Sequence, residues 1–280
     1  MAKWINRYLD HDAYAAEEIA RNSLGTTVSL VTSDSSVHYD KGSVTPPAPD
    51  YNPLNLPAYT IRVEYKSGTT PSMSKSGLTK TQVSISPNIW DITYENTSWL
   101  GLFDSQTNLI RVLGAESSQV ISMGGMYYGC ISLTSVAIHD TSSCQNFQGI
   151  FQNCSTLEDI PAFPTGNVTT MAQAFQKCSA LETIPVLDTS SVTTISSICE
   201  GCTSLKTVPL FDVSSMTNVW KAFKGATNVQ SGALALYQRL AARKSYLTSY
   251  SQAFTNCGKD TVTGAAELAK IPSDWGGTMA

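Results

Sequence analysis

The sequence predicts an α/β solenoid: a stack of units of about 24 residues, each with one short strand and one short helix, capped at both ends and preceded by a small N-terminal anchoring module. Three observations predict it. Cys130, Cys154, Cys178 and Cys202 are separated by equal steps, and Ala226 takes the fifth place at the same interval. The phrase FQNCSTLEDIPAF, from Phe151 to Phe163, returns one step later as FQKCSALETIPVL. Apolar side chains also keep fixed offsets from the anchor, with Tyr127, Phe151, Phe175, Cys199 and Phe223 three residues before it and Leu133, Leu157, Leu181, Leu205 and Val229 three after. A fixed set of apolar positions at such a period means that each unit buries its apolar side chains against its neighbours.

Composition sets the outer bounds. Charged residues make up only 14% of the 280, against roughly 25% in typical soluble domains. The net charge is -4 and no basic run occurs, which excludes nucleic acid as an expected partner, because phosphate binding needs clustered Lys and Arg. The N-terminal stretch MAKWINRYLDHDAYAAEE contains no long apolar run, so neither a secretory signal nor membrane insertion is expected and the chain should be made in the cytoplasm. Seven cysteines is an odd number; in that setting they read as reduced thiols rather than a disulfide framework.

Residues 1–44 read as the anchoring and oligomerisation module, with HDAYAAEEIARN resembling a helix and TVSLV and VHYD resembling strands. A segment this small cannot hold a substantial core alone, so it is expected to need a partner surface or its own copies. Trp4, Ile5, Tyr8 and Tyr14 are its candidate anchoring side chains. Residues 45–57, punctuated by Pro46, Pro47, Pro49, Pro53 and Pro57, form a stiff linker. Residues 58–98 read as an N-terminal cap with strands, since AYTIRVEYKSG alternates apolar and polar side chains.

The repeats occupy residues 99–229. Within each unit, segments such as LEDIPAF and LKTVPLF suit a short extended stretch, with proline where no ladder donor is needed. VTTMAQAFQKC and MTNVWKAFKGA place apolar residues at i, i+3 and i+7, which predicts a helical turn or two, and DTSS and DVSS supply side-chain acceptors to start it. Residues 230–280 read as a C-terminal helical cap, with SGALALYQRLAARK and TGAAELAKIPSDWGG as helices and AFTNCG as a last partial copy displaced by an insertion.

One strand and one short helix per unit of this length is a leucine-rich-repeat geometry. The phrases VPLFDVSSMTNVWKAFKGA and IPVLDTSSVTTISSICEGC resemble the BspA-type leucine-rich repeats of bacterial surface proteins and mycoplasma lipoproteins. That resemblance implies an interaction surface and not a reaction. The stretch from SPNIWDITYENTSWLGLF to ISLTSVAIHDTSS, with WINRYLDHDAY at the N-terminus, is similar to proteins of gut Bacteroidales and to virion fibre proteins of their crAss-like bacteriophages.

No residue set points to catalysis. Cys199 and Cys202 have a redox or zinc spacing, but both fall in repeat slots that Phe and Cys fill elsewhere. His11, His38 and His139 are far apart, and His139 shares its slot with Phe163, Leu187 and Phe211, which favours packing or surface contact over general-base work. Asp140, Asp188 and Asp212 recur where a cap is needed. No cofactor or metal is expected. The candidate binding surface is the row Ser135, Asp159, Thr183 and Thr207, with Phe163, Leu187 and Phe211 either beside it or completing the core.

The function expected is that of a non-enzymatic structural protein of a tailed-phage virion, a head fibre or capsid decoration. It would dock on other virion proteins through its N-terminus as a homotrimer and present the repeats to a host surface protein or glycan. The alternative is a bacterial BspA-like adhesin at the cell surface.

Overall fold

A computed structural model describes residues 54–279 other than residue 74. The anchoring residues Trp4, Ile5, Tyr8 and Tyr14, the module at 1–44 and most of the proline linker lie outside the described residues.

Regular structure begins with the alternation noted in AYTIRVEYKSG. It forms β1, Thr60–Tyr65, which buries Ile61, Val63 and Tyr65 on one face. On the opposite face, Arg62 donates two hydrogen bonds to the Asp91 carboxylate at 2.7 and 2.8 Å, and Glu64 accepts from Arg111. β2 (Leu78–Ser84) and β3 (Asn88–Tyr94) are antiparallel neighbours, and β3 also pairs antiparallel with β1, setting Val63 opposite Trp90. β4 (Leu109–Ala115) flanks β1 on its other side, and the two-residue β5 (Ser135–Val136) lies parallel to β4. The result is one mixed five-stranded sheet, ordered β2-β3-β1-β4-β5.

The expected α/β solenoid of leucine-rich-repeat units is not what the chain forms. Its sheet is this single mixed one, and among the described residues the only α-helices are α1 (Ala233–Ala241) and α2 (Val262–Leu268), both beyond the last full repeat. No repeat contains a helix, and only the first cysteine-anchored one contributes a strand. Two physical causes account for this.

The first is backbone handedness. Each unit carries two residues of positive φ four positions apart, as at Gly125 and Gly129, Gly149 and Asn153, and Gln173 and Lys177. A right-handed helix cannot pass through left-handed residues at that spacing. The chain makes consecutive tight turns instead, with Met126 N–H donating to Met123, Tyr128 to Gly125 and Cys130 to Tyr127. The intervening amides point the other way: Gly125, Tyr127 and Gly129 donate to Gln148, Ile150 and Gln152 of the following repeat at 2.7 to 2.9 Å. Successive units are thereby held in parallel register, bridged from Ser98 through Ser122, Asn146, Thr170 and Thr194 to Asn218.

The second cause is proline. The Ala137 N–H donates to Val112 at 2.9 Å, but in the following units the same place is held by Pro161, then Pro185 and Pro209. With no N–H to offer, these segments cannot continue the ladder that β5 begins.

A continuous core runs through the repeats. Ring centroids in the column Phe103, Tyr127, Phe151 and Phe175 are 5.5, 5.3 and 6.0 Å apart and nearly parallel. Cys199 interrupts the column, which resumes as Phe223 and Phe254 at 6.2 Å. α1 fills the insertion ahead of the displaced copy, and buried Trp275 closes that end by stacking on Tyr250 at 4.4 Å and meeting Tyr237 edge-on.

Candidate functional site

The groups with the most chemistry in them are the thiols, and the fold withdraws them. All seven cysteines are buried and free. Four take one position in the turn stack, each donating its S–H to the carbonyl of the aromatic residue one unit back: Cys130 to Phe103, Cys154 to Tyr127, Cys178 to Phe151 and Cys202 to Phe175, at 2.9 to 3.1 Å. The slot therefore uses the S–H as well as the small size of cysteine. Burial raises the Cys144 thiol to about 11 and Cys154 to about 12, and pushes Cys130, Cys178 and Cys199 well above the ordinary thiol value. A neutral buried thiol is neither a nucleophile nor a metal ligand. Among the described residues no group of three or more His, Cys, Asp or Glu side chains could hold a metal ion.

His139 is 1% exposed, its Nδ1 lies 3.0 Å from the Ala137 carbonyl oxygen, and its ring tilts against Phe163 at 4.9 Å. Burial lowers its pKa to about 4, against smaller opposing effects of the Ala137 carbonyl and Asp140. Its Nε2 has no partner, so it is positioned for packing and not for proton transfer to a substrate. The Asp slot caps turns: Asp140, Asp188 and Asp212 accept the N–H of Ser142, Ser190 and Ser214 at 2.7 to 3.0 Å. Hydrogen bonds from Ser190 and Ser214 lower the pKa of Asp188 and Asp212 respectively. Behind them, the buried hydroxyls of Thr141, Thr165 and Thr189 each donate to a carbonyl of the next unit.

The predicted surface row divides. Asp159 and Thr183 are exposed, whereas Ser135 is half-buried in β5 and Thr207 is half-buried and bridged to Ser231. Phe163, Leu187 and Phe211 are buried at 5%, 7% and 2% exposure and belong to the core. The structure does not join these apolar side chains to the polar row as one contact patch.

A different concavity opens on the turn side. It is a groove of about 390 Å³ across the first three units and the edge of the fourth, floored by glycines and walled by Leu100, Asp104, Tyr128, Gln148, Gln152 and, from the fourth unit, Gln173. Its glycines, Gly101, Gly125 and Gly149, occupy one slot, two residues before the column of rings. Later units place Gln173, Ser197 and Lys221 there with φ of 60, 53 and 54°. The backbone therefore accepts side chains in that slot, and three successive glycines leave the space empty. The signal in the sequence was GLF, GGMY and GIF at the repeat spacing, overshadowed by the cysteines.

A sequence family described as "Mycoplasma protein of unknown function, DUF285" matches residues 97–207, 121–237 and 170–256. These overlapping matches together take in more than half of the 280-residue chain. The chain belongs to this family. The first two matches start exactly one repeat apart, at 97 and 121, so the DUF285 pattern slides along the array in the same register as the bridges. No curated protein and no solved structure matches this DUF285 chain. Among its described residues no helix is long and apolar enough to cross a membrane.

Proposed function

We propose that this chain is a non-enzymatic attachment protein of a tailed-phage virion, a head fibre or capsid decoration, in which residues 1–44 dock on virion proteins as a homotrimer and the repeats form the recognition head. The observation that carries the non-enzymatic part is the fate of the reactive side chains: the thiols are buried, His139 is buried and held neutral, and three recurring aspartates cap turns. What the repeats leave outside mixes polar side chains with exposed apolar ones such as Leu100, Ile121, Tyr128 and Trp220, a surface suited to contact. The virion part rests on the likeness of WINRYLDHDAY and of the first repeats to phage fibre proteins.

A second reading, a bacterial surface adhesin, is favoured by the mycoplasma origin in the family description. Immunogold labelling with antibody to the repeats, on purified phage particles and on intact uninfected cells, separates the two. Label on particles supports the virion reading and label on cells the adhesin; a chain found on neither, in soluble lysate alone, contradicts both. Size-exclusion of the full chain and of one lacking residues 1–43 tests the trimer, which should be lost with the N-terminus.

A further inference from the structure

We infer that the glycine-floored groove at Leu100, Tyr128 and Gln148 is a binding site for a neutral saccharide. This deepens the attachment reading by naming the ligand class of its head.

Three features of the groove agree on that class. The wall offers one exposed aromatic ring, Tyr128, beside the aliphatic Leu100, both turned to a cavity instead of to the core. A pyranose presents just such a flat C–H face to an aromatic ring, which supplies apolar contact with a polar tip at the water side. Second, the remaining wall is made of amides and one carboxylate. Gln148 makes no side-chain hydrogen bond among the described residues, and Gln173 donates from Nε2 to Gln176 at 3.2 Å while its Oε1 makes none. Paired donors and acceptors of this kind match vicinal hydroxyls, each of which both donates and accepts. Third, neither lysine nor arginine lines the groove and Asp104 does. That charge balance disfavours sulfated, sialylated or phosphorylated ligands.

The glycines supply the room. A Cβ on Gly124 would come within 2.9 Å of the Leu100 side chain and 3.0 Å of the Asn146 amide, and one on Gly149 within 3.1 Å of Gln152 Oε1. Since Gln173 takes the slot of Gly125 and Gly149 two and one units later without altering the turn, glycine at 101, 125 and 149 is not required by the backbone. The volume of about 390 Å³ fits a short oligosaccharide and is far below what a folded partner needs.

The test uses the full chain and saturation-transfer NMR with lactose, mannotriose and N,N′-diacetylchitobiose at millimolar concentration, with sialyllactose and a heparin tetrasaccharide as acidic comparators. At least one neutral sugar should give ring-proton transfer, weakened at least tenfold by Tyr128→Ala and by Gly125→Gln, which puts the side chain of a later unit into the groove. Glu158→Gln, outside the groove, should leave transfer unchanged, and cooperative melting of all three variants, lowered by no more than a few degrees for Gly125→Gln whose left-handed backbone (φ 56°) adds strain, confirms that they fold. Transfer from no neutral sugar, transfer that survives both groove variants, or preference for the acidic probes overturns the assignment. Those outcomes are independent of where immunogold finds the protein, so the saccharide site and the virion reading fail separately.

Discussion

His139 is the residue whose burial can be read most directly in a titration. Its pKa is about 4 in the fold and near 6.5 when exposed. A pKa lowered by folding contributes stability that is full above about 6.5 and is lost as pH falls towards 4; the shift corresponds to about 3 kcal/mol across that window. His139→Phe, which copies the side chains of Phe163 and Phe211 in the same slot, should abolish this part of the acid destabilisation, as measured by urea unfolding at pH 7 and pH 4.5. An unchanged pH dependence would show that the imidazole is not held neutral. The thiols give the opposite sign. Burial raises the pKa of Cys144 and Cys154, so their contribution is full below about 9 and declines as pH rises towards 11 or 12. At pH 8 all seven should resist a disulfide reagent until the chain is unfolded, and rapid labelling of the native protein would contradict the burial. Cys154→Ala should cost about 1–2 kcal/mol, less than the roughly 3–5 kcal/mol of Phe151→Ala, because it removes one small group and one weak donor where the other removes a ring from the column.

At the scale of the element, the turn pairs decide what each repeat becomes. Lys177 sits at φ 60° on an exposed turn. In a helix, exchange for glycine would cost about 1 kcal/mol; in a left-handed turn it relieves strain of about 1–2 kcal/mol against a smaller loss to the unfolded chain. Lys177→Gly should therefore leave thermal stability equal or raise it by up to about 1 kcal/mol, and a clear loss would argue for helix at that position. The sequence misled here for a definite reason. Met123, Met126, Tyr127 and Cys130 are all buried, and their spacing of i, i+3, i+4 and i+7 is that of a helix face. Two successive tight turns bury the same positions, and only the glycines at 125 and 129 distinguish them. The strand half was misread in the opposite sense: LEDIPAF has apolar residues at strand spacing, but Pro161 withholds the N–H that Ala137 supplies in β5. Where neither glycine nor proline intervened, pattern and structure coincide, as in β1, whose alternating TIRVEY buries every second side chain from Ile61.

For the molecule as a whole, the repeat length was legible and its geometry was not. A period states that like side chains meet; it does not state whether strand, helix or turn brings them together. The groove was illegible for a related reason, since it consists of missing side chains in one slot of three units, and absence is visible only against the neighbours that keep theirs. Phe163, Leu187 and Phe211 could be read as core or as surface, with core the favoured reading, because burial is set by which way the chain turns after each proline. The central physical claim is that consecutive units lie side by side in parallel register, with their amides bridging from one to the next. Parallel bridging of Thr170 to Thr194 puts the two backbones about 4.8 Å apart, within the range a disulfide can span. The direct measurement is oxidation of Thr170→Cys/Thr194→Cys, read by peptide mass spectrometry and compared with Thr170→Cys/Thr183→Cys, half a repeat out of register. Parallel register requires near-complete intramolecular cross-linking of the first pair and none of the second; equal cross-linking of both, or of the second alone, would rule it out.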